Sequence, residues 1–404
     1  MSREMTFAAS VQTVHEAGPC VDALLAQTTP RIGPDDGDLI TLFLTAHYED
    51  ELSDIVARLR QSYPRAVLIG CTAESIIGNA LEIEGRPAMS MLVASLPGVE
   101  VHPFHVSHPQ HARARASQNW EPLLGVCGES EPVILGMADP YRFDVLTFVE
   151  DINEALPGAP VLGGIASAAD GPGQNALILD DAIHREGLVG VALTGNLRVD
   201  AVVSQGCRPI GRPFIVTKSQ DRFIRELGGK VAWERLQEVI AELRPDEEQA
   251  AQQALFVGRA INEYKPDFKR GDFLIHTLLG VERNTGALAI AGMPRIGSTV
   301  QFHIRDAESA DEDLRHMLAP FRGPQAPSVA GALLFSCNGR GSRMWPGVPH
   351  HDAGVLREHL GDVPTAGFFC AGEFGPVGGR NFVHGFTASI ALFRPRGVES
   401  VPVT

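Results

Sequence analysis

The sequence predicts an α/β protein built from mixed β-sheets flanked by helices, and three observations predict it. Short apolar runs alternate with helical periodicity three times along the chain. Each of these cycles ends in glycine-rich sequence, and each is followed by further extended sequence. A layered α+β sandwich is the alternative arrangement of the same elements.

The first cycle has an apolar run from Leu39 to Thr45, a helix with Leu52, Ile55, Val56 and Leu59 on one face, then Pro64 and the run Ala66 to Cys71. It ends in Gly70-Cys71-Thr72-Ala73-Glu74. The second has the run Val133 to Met137, a helix carrying Val145, Phe148, Val149, Ile152 and Leu156, then Pro157 and the run Val161 to Ile165, ending in Gly163-Gly164-Ile165-Ala166-Ser167. The third has Ala332 to Cys337, a shorter helix around Val355, Leu356 and Leu360, then Pro364 and Thr365 to Cys370, ending in Gly367-Phe368-Phe369-Cys370-Ala371-Gly372-Glu373. Each cycle is about the length at which two parallel strands can be joined through a packed helix. Met89 to Ala94, Asn175 to Leu179, Leu188 to Leu193 and Phe382 to Phe393 are rich in β-formers and add antiparallel strands. The glycines then sit at strand ends, where α/β proteins commonly bind small molecules.

Between the second and third cycles, Trp233, Leu236, Ile240 and Leu243 share one helical face, which Pro245 and Asp246-Glu247-Glu248 close. Asp272 to Leu279, Ala287 to Ala291 and Val300 to Ile304 read as strands separated by turns. With 404 residues, more than one core usually serves, two domains are expected. The boundary is placed near residue 218, giving 1–218 and 219–404, with a helical connector over about 219–265. About 35 residues precede the first strand so defined, too few for another packed domain.

Composition excludes several function classes. A net charge of −15 with no clustered basic surface argues against nucleic acid as a partner. The apolar runs fall far short of the ~20 residues a spanning helix needs, so no membrane partner is expected. Glu4, His15, Glu16 and Asp22 interrupt the N-terminal region, so no secretory leader is expected there. Six cysteines without paired spacing read as thiols in a reducing cytoplasm, and no CxxC suggests a zinc site.

The strand ends supply the candidate ligand site: Cys71, Thr72, Glu74, Gly163, Gly164, Ser167, Cys337, Asn338, Arg340, Cys370, Glu373 and His384. In Ser336-Cys337-Asn338-Gly339-Arg340-Gly341, a guanidinium fork beside flexible glycines suits a carboxylate. A tight turn with a small buried thiol is the plainer alternative. Glu373 suits an ammonium group, against a carboxylate that caps the amides of its own turn. The run Gly372 to Asn381 precedes strand sequence, so it is not a dinucleotide fingerprint. Asp352 after His350-His351 reads as a helix-start residue, and His384, in a strand, reads more as a satisfied core histidine than as a ligand. Cys337 or Cys370 as a nucleophile would need a base held beside it.

These motifs resemble the FIST family, with its N-terminal and C-terminal domains. The resemblance rests on the glycine-rich ends above, on Val203 to Gly211, on Ser336 to Gly341, on Gly367 to Asn381 and on His384-Gly385-Phe386-Thr387. It implies a bacterial sensory module that binds small ligands such as amino acids and passes its signal to a separate partner protein. It carries no agreed catalytic residues, so an enzyme is the less expected outcome and no cofactor is called for. Two alternatives stand beside it. One is a haem-based gas sensor, drawing on fourteen histidines, with the haem bound non-covalently because no CxxCH occurs. The other is a thiol-dependent enzyme using Cys337 or Cys370.

Overall fold

Each of the three cycles folds as a parallel strand pair joined by a helix. The computed structural model describes residues 3–253, 255–265, 267–268 and 271–396, without the side chains of 246 and 253. The chain divides into two compact units, one formed by Met1–Val203 with Met317–Thr404 and the other by Ser204–His316.

The first copy of the repeat runs β1 (Thr6–Gln12), α1 (Ala17–Thr28), β2 (Leu39–Thr45), α2 (Leu52–Ser62), β3 (Val67–Ala73), a hairpin β4 (Ile76–Gly78) and β5 (Leu81–Ile83), and β6 (Met89–Ser95). The second runs β7 (Val99–Val106), α3 (His108–Ser117), the short α4 (Glu121–Leu124), β8 (Val133–Ala138), α5 (Val145–Ala155), β9 (Val161–Ile165), a hairpin β10 (Leu177–Leu179) and β11 (Ala182–His184), and β12 (Leu188–Gly195). The third opens with β13 (Arg198–Ser204), and there the second unit is inserted.

That unit contains β14 (Cys207–Gln220), β15 (Phe223–Leu227), β16 (Lys230–Val231), α6 (Ala232–Ala241), α7 (Pro245–Gln253), β17 (Leu255–Ala260), β18 (Phe273–Glu282), β19 (Ala287–Ile290) and β20 (Thr299–Arg305). Its seven strands follow the order β14-β20-β17-β18-β19-β15-β16, and an extra pairing joins the end strand β14 to the penultimate strand β15. Leu236 and Val239 of α6 pack with Phe214, Val257, Leu288 and Phe302 in its core. The chain returns through α8 (Ala307–Leu318) and completes the third copy with β21 (Gly331–Cys337), α9 (His351–Leu360), β22 (Thr365–Cys370), a hairpin β23 (Glu373–Val377) and β24 (Arg380–His384), and β25 (Ala388–Arg394).

Several expectations change here. Residue 218, the expected boundary, lies inside β14, and the expected helical connector over 219–265 holds β15, β16 and β17 besides its two helices. Pro245 opens α7 where it was expected to close a helix, since at the first helical turn its missing N–H costs no bond. The residues before Leu39 are not a bare lead: β1 pairs antiparallel with β6, and α1 packs beside the sheet.

Sheet pairing explains why the three copies form one unit. β2–β3, β8–β9 and β21–β22 are the parallel pairs. The hairpins do not stay with their own copies. β4 pairs with β22, β10 with β3, and β23 with β9, so each copy lends its hairpin to another copy's sheet in a closed cycle. Three six-stranded sheets result, β1-β6-β2-β3-β10-β11, β24-β23-β9-β8-β12-β7 and β13-β25-β21-β22-β4-β5. Their inner faces share one apolar core in which Phe43, Phe335 and Phe368 meet ring to ring, while helices cover outer faces such as that of Leu42 and Leu68. In all three copies a glycine of the second parallel strand stands opposite a fixed position of the first: Gly70 opposite Leu42, Gly163 opposite Gly136, Gly367 opposite Leu334. A Cβ at any of these glycines would collide with the facing carbonyl oxygen, so the repeat is fixed by backbone approach as well as by apolar pattern.

Candidate functional site

The strand ends from all three copies meet. Phe369 N–H donates to the Ser75 carbonyl (2.9 Å), Ser167 N–H to Thr72 (3.4 Å), and Ala371 N–H to Ile165 (3.0 Å), linking β22, β9 and β3 at their C-terminal ends. The Ser167 hydroxyl ties the same three strands, donating to the Phe369 carbonyl (2.5 Å) and accepting from Glu74 N–H (3.0 Å). Gly164 lies so close to Cys370 and Phe368 that a side chain there would strike the thiol.

The centre of the cluster is Glu373. It begins β23 opposite Gly164 and is completely buried. Thr387 donates to its Oε2 through both N–H (3.3 Å) and hydroxyl (2.7 Å). The Cys337 thiol lies beside the carboxyl as a weak donor. Oε1 has no hydrogen bond of good geometry among the described residues, and neither does the buried Asn338 Oδ1. Burial pushes the Glu373 carboxyl up to about 8, against the opposing pull of Thr387, Cys337 and the Arg340 charge. Immediately before Thr387, Phe386 adopts a left-handed backbone (φ 66°). For a bulky aromatic that conformation costs on the order of 1–3 kcal/mol, so the loop holding Glu373 is strained.

Cys337 and Cys370 are register partners at the ends of β21 and β22, and Asn338 N–H donates to the Cys370 carbonyl (2.9 Å). Cys71 belongs to the same core, and burial raises both its thiol and that of Cys370 well above the ordinary range. Glu74 is exposed at the rim and pairs with Arg343 (2.5 Å).

Some expected residues serve other ends. Arg340 does point inward, but its Nε and Nη2 bind Asp352 (2.7 and 2.9 Å), so the fork expected for a ligand carboxylate is occupied by the protein's own. Asp352 therefore does more than begin α9. It also accepts from Ser336 Oγ (2.8 Å) and lies 3.0 Å from His351 Nδ1, whose ring stacks on Trp345 at 3.5 Å. Burial alone would raise the Asp352 carboxyl, but the Arg340 charge and the His351 contact hold it well below the carboxylate range. Glu373 does not cap its own turn, since its partner Thr387 comes from the next loop. His384 bonds the Gly375 carbonyl across its hairpin (3.0 Å), Thr72 accepts from Ala176 N–H (2.8 Å), and Gly163 is fixed by the approach of Gly136.

Thr387, Arg343 and Glu82 lie outside the set expected from the sequence. Glu82 on β5 accepts from Ala353 N–H at the start of α9 (2.9 Å), and burial together with the Asp352 charge pushes it up to about 8. One signal would have ranked Glu373 first. Aligned on the shared register of the repeat, its counterparts are Ile76, opposite Phe368, and Leu177, opposite Cys71, both apolar and fully buried.

Two clefts, of about 680 and 440 Å³, lie at the starts of the parallel strands, around Val133 and Pro160 and around Asn79 and Thr365. Neither is lined by any candidate site residue, so both are separate from the Glu373 cluster. Among the described residues no group of three or more His, Cys, Asp and Glu is placed to hold a metal ion, and no helix is long and apolar enough to cross a membrane.

Comparison with known proteins agrees with the repeat-end motifs. The FIST N domain matches residues 38–230 and the FIST C domain matches 232–376. The chain belongs to the FIST family. FIST domains are generally sensory domains of signal transduction. Among relatives, an uncharacterized protein of Mycobacterium tuberculosis is 40% identical over 88% of this chain and 91% of its own length. An uncharacterized protein of Mycobacterium bovis is 36% identical over 96% of this chain and 99% of its own. Solved structures with some likeness include a cyanuric acid hydrolase (8% identity, TM-score 0.35, 96% of this chain and 100% of that one) and another from A. caulinodans (10%, 0.32, 97% and 99%). At those TM-scores the likeness bears on neither fold nor activity.

Proposed function

We propose that this FIST protein is a sensor that binds a small ligand at Glu373, and that the ligand presents an ammonium group or a similar N–H donor, as an amino acid does. One observation carries the reading: a buried carboxyl stands where the other two copies of the repeat hold Ile76 and Leu177, and its Oε1 lacks a good hydrogen bond among the described residues. A core that keeps a polar atom so poorly satisfied loses stability, which natural cores tolerate chiefly at functional sites. A carboxyl raised to about 8 is protonated at neutral pH, and an arriving cation would displace that proton. Affinity for an ammonium ligand should then rise from pH 6 to pH 8.

The signal would pass to a separate cytoplasmic partner protein, and the candidate ligand shell comprises Glu74, Ser167, Cys337, Asn338 and Cys370 around Glu373. A thermal-shift panel of amino acids, amines and small carboxylic acids tests the reading. A true ligand at ~100 times its dissociation constant should stabilise the protein by ~2.7 kcal/mol. Glu373→Gln should weaken it by about tenfold to a hundredfold, the range of a hydrogen bond to a charged group. If no compound shifts the wild type, or if Glu373→Leu responds as fully as wild type, the reading fails.

A further inference from the structure

We infer that Cys337 and Cys370 form a peroxide-sensitive dithiol that closes to a reversible disulfide. The inference does not depend on what ligand binds nearby.

Register partners on adjacent parallel strands project side chains to the same face, with backbones about 4.8 Å apart. Cys337 and Cys370 are such a pair. That spacing lies inside the roughly 4.4–6.8 Å Cα separation a disulfide spans. Both sit at the last residues of their strands, where the ends are not continued into a longer ladder and the backbone can adjust. Cys337 has a sliver of exposure (7%) while Cys370 has none, which assigns their roles. Cys337 is the sulfur a small oxidant reaches, and Cys370 is the resolving thiol behind it. Gly339 N–H points at Cys337 Sγ (3.4 Å), providing a donor for the developing thiolate. Cys71 shares the apolar core but faces Leu177 in its sheet, so it has no register partner of its own kind.

With hydrogen peroxide as oxidant the chemistry balances. Cys337 sulfur attacks one peroxide oxygen, the O–O bond breaks, and one water leaves with the thiol proton, giving a sulfenic acid. Cys370 sulfur then attacks Cys337 sulfur, the S–O bond breaks, and a second water carries off the remaining proton as the disulfide forms. Two electrons pass from the thiols to peroxide.

The experiment uses the full chain with its exposed Cys127 replaced (Cys127→Ser), leaving five of the six cysteines. After treatment with hydrogen peroxide, unfolding and alkylation, the number of alkylated thiols should fall from five to three. Tryptic peptides 323–340 and 358–380 should appear joined with the loss of two hydrogens, and dithiothreitol should separate them. Cys71→Ser should still give the joined peptides, and Cys337→Ser should leave Cys370 reduced. Five alkylated thiols after treatment, a joined peptide containing Cys71, or Cys337 advancing to sulfinic acid unjoined would each overturn the inference. Because the mapping is made on protein with all core thiols intact, a core variant that fails to fold does not remove the test.

Discussion

The third copy of the repeat differs from the first two in what it buries. At one register position the first and second copies place Ile76 and Leu177 in the shared core, and the third places Glu373. Opposite the apolar pair stand Phe368 and Cys71, but opposite the carboxyl stands Gly164, whose side-chain space Cys370 and Phe368 fill. The loops between first parallel strand and helix differ as well. In the second copy the buried Asp139 accepts from the amides of Tyr141 and Arg142, whereas the third encloses the Arg340–Asp352 pair at 0% and 1% exposure. At this register position one backbone plan thus supports two apolar residues and one carboxyl, and the copy with the carboxyl carries the strain at Phe386. Architecture and chemistry are separable: the threefold plan gives stability, and departures from it mark the proposed site.

Making an apolar copy resemble the polar one should have the largest effect. Leu177→Glu puts a carboxyl opposite Cys71 with neither glycine nor threonine to receive it, and about 5 kcal/mol of stability should be lost in urea unfolding. Asp352→Ala strips the partner from a fully buried guanidinium, and the same measurement should show a loss of about 4 kcal/mol. A smaller change would show that water reaches Arg340.

The reverse exchange, Glu373→Leu, should stabilise the protein at pH 7 by on the order of 3 kcal/mol, because the folded chain no longer holds a proton that the unfolded chain releases. The sign follows from a carboxyl at about 8 when folded and near its ordinary value when unfolded. The contribution of this carboxyl is greatest below pH 4.5 and is lost as the pH rises to about 8, above which both states are ionised. Glu373→Gln should make that decline shallower without removing it, since Glu82 is raised to about 8 by the same cause and remains. Chemical denaturation at pH 5, 6.5 and 8 would separate the two carboxyls, and an unchanged slope in the variant would mean that Glu373 titrates normally. Thr387→Val should have the smallest effect, about 1 kcal/mol, with the Glu373 carboxyl moving further up as it loses a donor. A carboxyl resonance followed by NMR titration would record that movement.

The inserted unit has the opposite pH response. His303 is buried and pushed down to about 4 by burial, so its contribution is present above its ordinary pKa and lost as the pH falls from about 6.5 to 4. Acid should therefore loosen residues 204–316 while the carboxyls of the threefold unit are relieved, and hydrogen exchange at pH 5 against pH 7 would resolve the two.

Much of this was legible in the sequence, for a local reason. The parallel pairs β2–β3, β8–β9 and β21–β22 announce themselves because strands buried on both faces must be continuously apolar, and the helices between them carry a single apolar stripe. The glycine-rich ends were legible too, since the backbone approach that demands Gly70, Gly163 and Gly367 leaves its mark in residue type. The first strand and helix of the threefold unit were not: α1 carries Gly18 and Pro19 in its first turn, which weaken the helical signal. The inserted unit reads as part of a terminal domain because an insertion leaves the apolar pattern on either side unchanged.

By itself, the sequence determined the α/β class, the threefold recurrence and the family, since all three rest on patterns within some 35 residues of chain. Only the tertiary structure decided which hairpin joins which sheet, because the three-residue strand Ile76–Gly78 finds its partner in Ala366–Phe368 through a contact that no local periodicity records. It decided the fate of the charges for the same reason. Whether Arg340 meets a ligand or Asp352, and whether Glu373 sits in water or in the core, depends on what distant segments bring beside them, and burial sets the energy of a charge far more strongly than its neighbours in sequence do.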